Sequence, residues 1–408
     1  MSTRTPMLWL LSIVVGLAVA VAAVPASAAV RLVGLVPASA PAPAAPLPEG
    51  ATPVAAPVAP PAQAPLVVSL DATVESYLAM DANRPRDGAI AGHIFDPRHG
   101  ELAISGVMVG LGADTGTSYG TVQIWRGQTP TIIYGGEPSG PIDWTLLRQA
   151  WAGVRISDKT RVEGGLFLSP IGVESTLARD NWLWSGALLN VAMPFFLSGA
   201  RVSHALDDTT TLEAGLYGGW TRLRASNIPG TALVRVFGAP AWGTWQLLLS
   251  SAPTRPGLGM DGVGHVRGWL VDGTISAPVN DDVEVAAQLN GGTELWKDGA
   301  NQRSGTWAAG EVWARYKLAE HWRLAGRAGI FVQNGDRQLV HGEDLGRFWW
   351  PTSRVAEAAV AVQWAPTPTW MLRAESRIDA AADAIYSRAD GSTTTTRPTL
   401  VLGMAWTL

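Results

Sequence analysis

Polar and apolar side chains alternate one by one in 16 segments between Val67 and Leu408, and a period of two repeated this often leaves few folds open. Successive residues of an extended strand point to opposite faces. In the first segment Leu70, Ala72, Val74, Leu78 and Met80 take one face, and Ser69, Asp71, Thr73, Glu75 and Tyr77 the other. In the last, Leu400, Leu402, Met404, Trp406 and Leu408 oppose Val401, Gly403, Ala405 and Thr407. The intervening segments cover 101–111, 119–125, 147–156, 161–169, 197–206, 211–221, 232–237, 242–249, 266–277, 283–290, 307–318, 322–332, 355–364 and 370–379.

The connections alternate too. Short turns at 157–159, 207–209, 238–241, 279–282, 319–321 and 366–369 are interleaved with long ones at 81–99, 127–143, 172–184, 223–230, 252–264, 294–305, 334–352 and 380–396. All short connections therefore fall at one end of the sheet and all long ones at the other. With an even strand count both termini sit at the short-turn end, as in a bacterial outer-membrane barrel with its short periplasmic turns and longer external loops. The sequence predicts an all-β fold, an antiparallel transmembrane β-barrel of about 16 strands. A propeller would repeat a signature every 40 or so residues, and no such repeat is present. A sandwich this long would need several domains with linkers, and none interrupts the chain after Val67.

Composition agrees. Charged residues are only 16% of the chain, against 45 glycines and 19 tryptophans. Trp242, Trp269, Trp322, Trp364, Trp370 and Trp406 lie at or near strand ends, where amphipathic rings favour a lipid interface. Trp307 and Trp313 depart from this, since they share a face with Glu311 and Arg315. The net charge of −4 and the absence of a basic cluster argue against nucleic acid as a partner. The absence of cysteine rules out disulfides, cysteine-ligated metals and an acylated lipoprotein anchor.

Ahead of the alternating region, Arg4 precedes an apolar run from Met7 to Val24 and small residues at Ala26 and Ala28. This has the form of a signal peptide over 1–28, with an uncleaved membrane anchor as the alternative. Residues 29–66 are rich in proline and alanine, a composition that builds no core and favours extended chain. They are expected to form a disordered periplasmic linker, leaving 67–408 as the barrel.

The stretch from Glu163 to Asp208 resembles the OmpL-like β-barrel porin family of the bacterial outer membrane. The matching positions are Gly165 and Phe167 on a strand, an Ile-Gly-x-Glu turn at Ile171, Gly172 and Glu174, then Asn181, Pro194, Phe195 and Gly199. Further likenesses are a Phe-Asp loop before the second segment and a Gln-Ala-aromatic strand around Trp151. The resemblance implies a porin. In general porins an early external loop folds into the lumen, so the resemblance makes Glu174, Arg179, Asp180 and Asn181 a candidate constriction loop, with an ordinary surface loop as the alternative.

A barrel of 16 strands encloses a channel, so function is expected on inward side chains. The most charged inward rows are Glu311 and Arg315, then Arg323 and Arg327, then Glu357, then Arg373, Glu375, Arg377 and Asp379. These fall on consecutive strands, where opposite charges meet. Such rows can select solutes or simply brace the wall. No cofactor is expected. His93, Asp96 and His99 offer the donor types of a divalent-metal site, but two histidines in a loop are a weak signal and no metal is assigned. Ser203 and His204 are adjacent on a strand and face opposite ways, so they form no dyad, and no enzyme activity is expected. The expected function is passive diffusion of small hydrophilic solutes. The expected partners are outer-membrane lipid, those solutes, the barrel-assembly machinery through the last strand, and a homo-trimer. The alternative is a non-conducting barrel that tethers the envelope or binds at the surface, with Arg347 to Pro351 ("RFWWP") as its aromatic feature.

Overall fold

A computed structural model describes residues 31–32, 65–134, 143–221, 223, 230–252, 263–298, 301–335, 339–340, 343–344 and 350–408. The expected signal peptide and nearly all of the expected linker lie outside these residues. Sixteen strands form the wall: β1 (Val67–Asp81), β2 (Leu102–Asp114), β3 (Ser118–Arg126), β4 (Leu147–Arg155), β5 (Thr160–Leu168), β6 (Phe196–Ala205), β7 (Thr210–Tyr217) and β8 (Thr231–Gly238). They continue as β9 (Thr244–Ala252), β10 (Val263–Pro278), β11 (Val283–Asp298), β12 (Asn301–Ala319), β13 (Trp322–Gly335), β14 (Arg354–Thr367), β15 (Trp370–Ala381) and β16 (Thr396–Thr407). Each strand pairs antiparallel with the next. β16 then pairs with β1, from Thr73 opposite Thr407 to Asp81 opposite Thr399, which closes the cylinder and leaves no edge.

The expected strands all form, with one correction at the connections. The loop expected at 294–305 is strand for most of its length, because β11 and β12 stay in register up to Asp298 opposite Asn301. Ladder hydrogen bonds need only backbone, so the hairpin continues past the point where side-chain alternation fades. Seven short turns gather at one end with both termini of the barrel. One of them is capped by Asp207, whose carboxylate accepts the amide N–H groups of Thr209 and Thr210, both at 2.8 Å. Those bonds hold its carboxyl below the usual range. At the other end the β3–β4 connection carries a short helix, α1 (Gln128–Ile133).

Burial runs opposite to that of a soluble protein. On β16, Leu400 and Leu402 are 47% and 48% exposed while Val401 between them is fully buried. The same holds around the wall, with Val109, Leu216, Leu247, Val271, Leu289, Ile330 and Val360 exposed. Lipid covers this face, and the packed interior is the lumen itself. Trp242, Trp269, Trp322, Trp364 and Trp370 stand on the outer surface. Trp322 and Trp364 stack there with ring centres 6.1 Å apart. Trp307 and Trp313 are buried inside, which accounts for their sharing a face with charged residues.

Candidate functional site: the lumen and its inserted loop

Between β5 and β6 the chain turns into the barrel. The neck of this loop, residues 169–195, is closed by the Ser169 amide donating to the Phe195 carbonyl at 3.0 Å. Gly172 has φ of +97°, a backbone angle that side chains disfavour, and it starts the inward turn. Asn181 then fixes a compact bend, accepting from the Ser175 amide at 2.7 Å and donating to the Ser175 carbonyl at 3.1 Å. Leu183, Trp184, Leu188 and Leu189 are almost wholly buried inside the lumen. The Ile-Gly-x-Glu turn and the asparagine after it thus make the loop's entry and first bend.

A loop with little regular structure, placed inside a barrel, must find partners for its amides and carbonyls. Here the wall supplies them. On β1, Glu75 accepts the Arg179 amide at 2.7 Å. On β15, Arg373 donates to the carbonyls of Ala178 and Asn181 at 2.9 and 2.7 Å, Glu375 accepts the Trp184 and Ser185 amides, and Arg377 donates to the Gly186 carbonyl at 2.6 Å. On β13, Arg327 donates to the Ser185 carbonyl and to Glu174, both at 2.7 Å, and is paired with Glu357 of β14. On β12, Glu311 accepts the Leu189 amide at 3.3 Å. Carboxylates take N–H groups and arginines take carbonyls, so the alternating charges are read by the loop's backbone.

A second external segment, residues 82–101, packs beside it. The Arg397 guanidinium donates to the Ala91 carbonyl at 2.6 Å and pairs with Asp379 at 2.8 Å. His93 lies 2.7 Å from Asp96 and 3.4 Å from Asp379, with no exposure of any of the three side chains. His99 instead accepts the Asp81 amide at 2.9 Å. The histidines therefore do not converge, and among the described residues no cluster suited to a metal ion is present. Trp350 is also buried, at the Gly92 backbone, so the end of the Arg347 to Pro351 stretch points into the barrel. Residues 347–349 lie outside the described residues.

All nine expected pore residues face inward, but seven do not face water. Glu311, Arg327, Glu357, Arg373, Glu375, Arg377 and Asp379 are at most 5% exposed, because the inserted segments cover them. Arg315 and Arg323 retain exposure. Arg315 pairs with Glu284 and lies over the Trp182 ring of the loop at 4.8 Å. Of the loop residues, Asn181 and the side chain of Glu174 are buried as anchors, whereas Arg179 and Asp180 remain accessible at 27% and 45% of their side chains.

The opposite wall carries charges that the row reading passed over. Arg155 pairs with Asp114, Arg201 with Glu163 and Arg235 with Glu213. Each guanidinium also lies on an aromatic ring, Tyr119, Phe167 and Phe237 respectively, at 4.2–4.3 Å. All three arginines keep partial exposure and so border the wetted lumen. Their signal was a charged or polar side chain at every second residue, Arg161 and Glu163 on β5 and Arg201 with Ser203 on β6. Ser203 faces inward to Glu213 at 3.2 Å, and His204 faces out to Thr160.

The family model described as "Putative beta-barrel porin-2, OmpL-like" matches residues 67–408, the whole of this wall and its loops. The chain belongs to that family. This OmpL-like porin is accordingly a protein of the bacterial outer membrane. Its fold is shared with solved structures at low identity. The outer membrane channel DcaP of Acinetobacter baumannii has a TM-score of 0.57 and 13% identity, over 84% of this chain and 97% of that one. An anion-selective porin from Comamonas acidovorans gives 0.56 and 12%, over 84% and 100%. The trimer form of OmpT, an outer membrane protein of Vibrio cholerae, gives 0.53 and 10%, over 84% and 99%. No curated protein sequence matches the porin significantly.

Proposed function

We propose that this chain is a diffusion porin whose pore is narrowed from within by residues 169–195, so that small hydrophilic solutes pass between that loop and the basic wall of β4, β6 and β8. The observation that carries the reading is the partial exposure of inward charges on both sides of the gap, Arg155, Arg201 and Arg235 on the wall and Arg179 and Asp180 on the loop. Inward charge that stays hydrated lowers the barrier lipid imposes, and the gap sets the size limit. The buried row on β12 to β15 acts indirectly by fixing the loop. No step calls for a cofactor or a catalytic group, and we read the chain as a channel rather than an enzyme.

Two finer features belong to this reading. Assembly by the outer-membrane machinery is expected to use β16, whose lipid face ends with Met404 and Trp406. A homo-trimer is expected, supported by the trimeric form known for the Vibrio cholerae relative in fold. Single-channel recording on refolded residues 29–408 tests the proposal. Discrete steps in current are expected, while a folded and inserted barrel that stays silent would leave tethering or surface binding as the function.

A further inference from the structure

Four rings run side by side across the wall of β3, β4, β5 and β7. Tyr119 meets Trp151 edge to face at 5.8 Å, Trp151 stacks on Phe167 at 6.0 Å, and Phe167 meets Tyr217 edge to face at 6.2 Å. Phe167 and Tyr217 are buried, whereas Tyr119 and Trp151 keep lumenal exposure. Trp151 is held in place, its indole N–H donating to Gln149 at 3.1 Å.

Arg201 covers Phe167 at 4.2 Å, which puts its guanidinium beside the exposed Trp151 ring. Its Nε is held by Glu163, with Glu213 at 3.7 Å from the same nitrogen. Among the described residues its terminal nitrogens Nη1 and Nη2 make no hydrogen bond, unlike those of Arg235, which are taken by Gln246 and Glu213. Two neighbouring N–H donors at the end of a fixed guanidinium match the two oxygens of a carboxylate. Arg161, inward on β5, is exposed and makes no hydrogen bond or ion pair among the described residues, although its charge is felt at Asp114 and Tyr119.

The geometry points to a binding subsite for small aromatic carboxylates on this wall. The carboxylate takes the free end of Arg201, the ring lies over Trp151, and Arg161 adds a positive charge that is in no ion pair among the described residues. The carboxylates already present, Glu163, Glu213 and Asp114, are each engaged by an arginine, so an incoming anion meets few free negative charges there. The inference rests on the porin reading and gives it a solute class.

The test uses the full mature chain in a planar bilayer in potassium chloride, with benzoate, cyclohexanecarboxylate or acetate added. Benzoate is expected to interrupt the current at concentrations at least tenfold below those needed for acetate, with cyclohexanecarboxylate between them. Arg201→Lys keeps the charge facing Glu163 and Glu213 but loses the planar fork, and Trp151→Leu keeps an apolar filler without the ring. Each is expected to raise the half-blocking concentration of benzoate by about tenfold, while Lys317→Gln on β12 leaves it in place. Equal block by benzoate and acetate, an unchanged benzoate response in both wall variants, or an equal loss with Lys317→Gln would each overturn the subsite. A wild-type barrel with no current would overturn the porin reading and the subsite with it.

Discussion

Arg327 offers the sharpest test of how the loop is held. Its side chain is completely buried and joins Glu174 of the loop, Glu357 of the wall and the carbonyls of Ser185 and Gly186. Replacing it with methionine keeps the length and removes every donor. Breaking a buried ion pair by deleting one partner typically costs about 3–5 kcal/mol. In this case the cost falls on the inserted state. When the loop leaves, Glu174 and the two carbonyls regain water, and Glu357 keeps Arg377 at 2.6 Å. The loop's released population should therefore rise by roughly 10²- to 4 × 10³-fold, at 1.4 kcal/mol per factor of ten. The chain has no cysteine, so a single introduced thiol reports its own site. Ala187 is 4% exposed within the loop, and Ala187→Cys should label slowly with a water-soluble maleimide. Adding Arg327→Met should speed labelling by about that factor while the folded barrel still resists heat and detergent on a gel. A change of less than about threefold in a folded barrel would refute the view that this arginine fixes the loop.

Other perturbations follow from the same contacts. Glu375→Gln keeps an acceptor for the Trp184 and Ser185 amides but loses its charge, so about 1–2 kcal/mol and roughly a tenfold rise in labelling of the Ala187→Cys thiol are expected. Gly403→Ala places a methyl group into the Trp184 ring, and should lower the barrel's thermal midpoint or displace the loop, as read by heat-dependent gel mobility. Leu400→Arg puts a charge on the lipid face and should cost about 2–4 kcal/mol if that site is near the bilayer centre, measured by reversible folding into lipid vesicles. Arg161→Gln breaks no hydrogen bond or ion pair among the described residues and should leave that folding energy within about 0.5 kcal/mol.

The wall was legible in the sequence because a two-sided strand writes its environment into every second residue. Sixteen strands, their order and the inward set could all be read from that rule, whereas Glu174 to Asn181 as a loop bound for the lumen came only from the family resemblance. What the loop does to the wall could not. Whether Arg327 or Arg377 faces water depends on a segment some 140–190 residues away in the chain, and side-chain alternation carries no information about such a contact. The hairpin of β11 and β12 was cut short for a related reason, since ladder hydrogen bonds outlast the alternation that reveals them. Arg201 was visible as an inward charge, but its significance came only with Phe167 beneath it.

The partners that seat the loop come from both ends of the wall. Glu75 lies on the first strand and Arg373, Glu375 and Arg377 on the fifteenth, and Gly403 on the last strand gives the space that the Trp184 ring occupies. β15 and β16 are neighbours, with Arg373 opposite Gly403, but Glu75 joins them only where β16 pairs with β1. The loop's full set of partners, like the keystone's seat in an arch, is therefore complete only in the closed cylinder, so the narrow pore is a property of the whole wall and of no part of it.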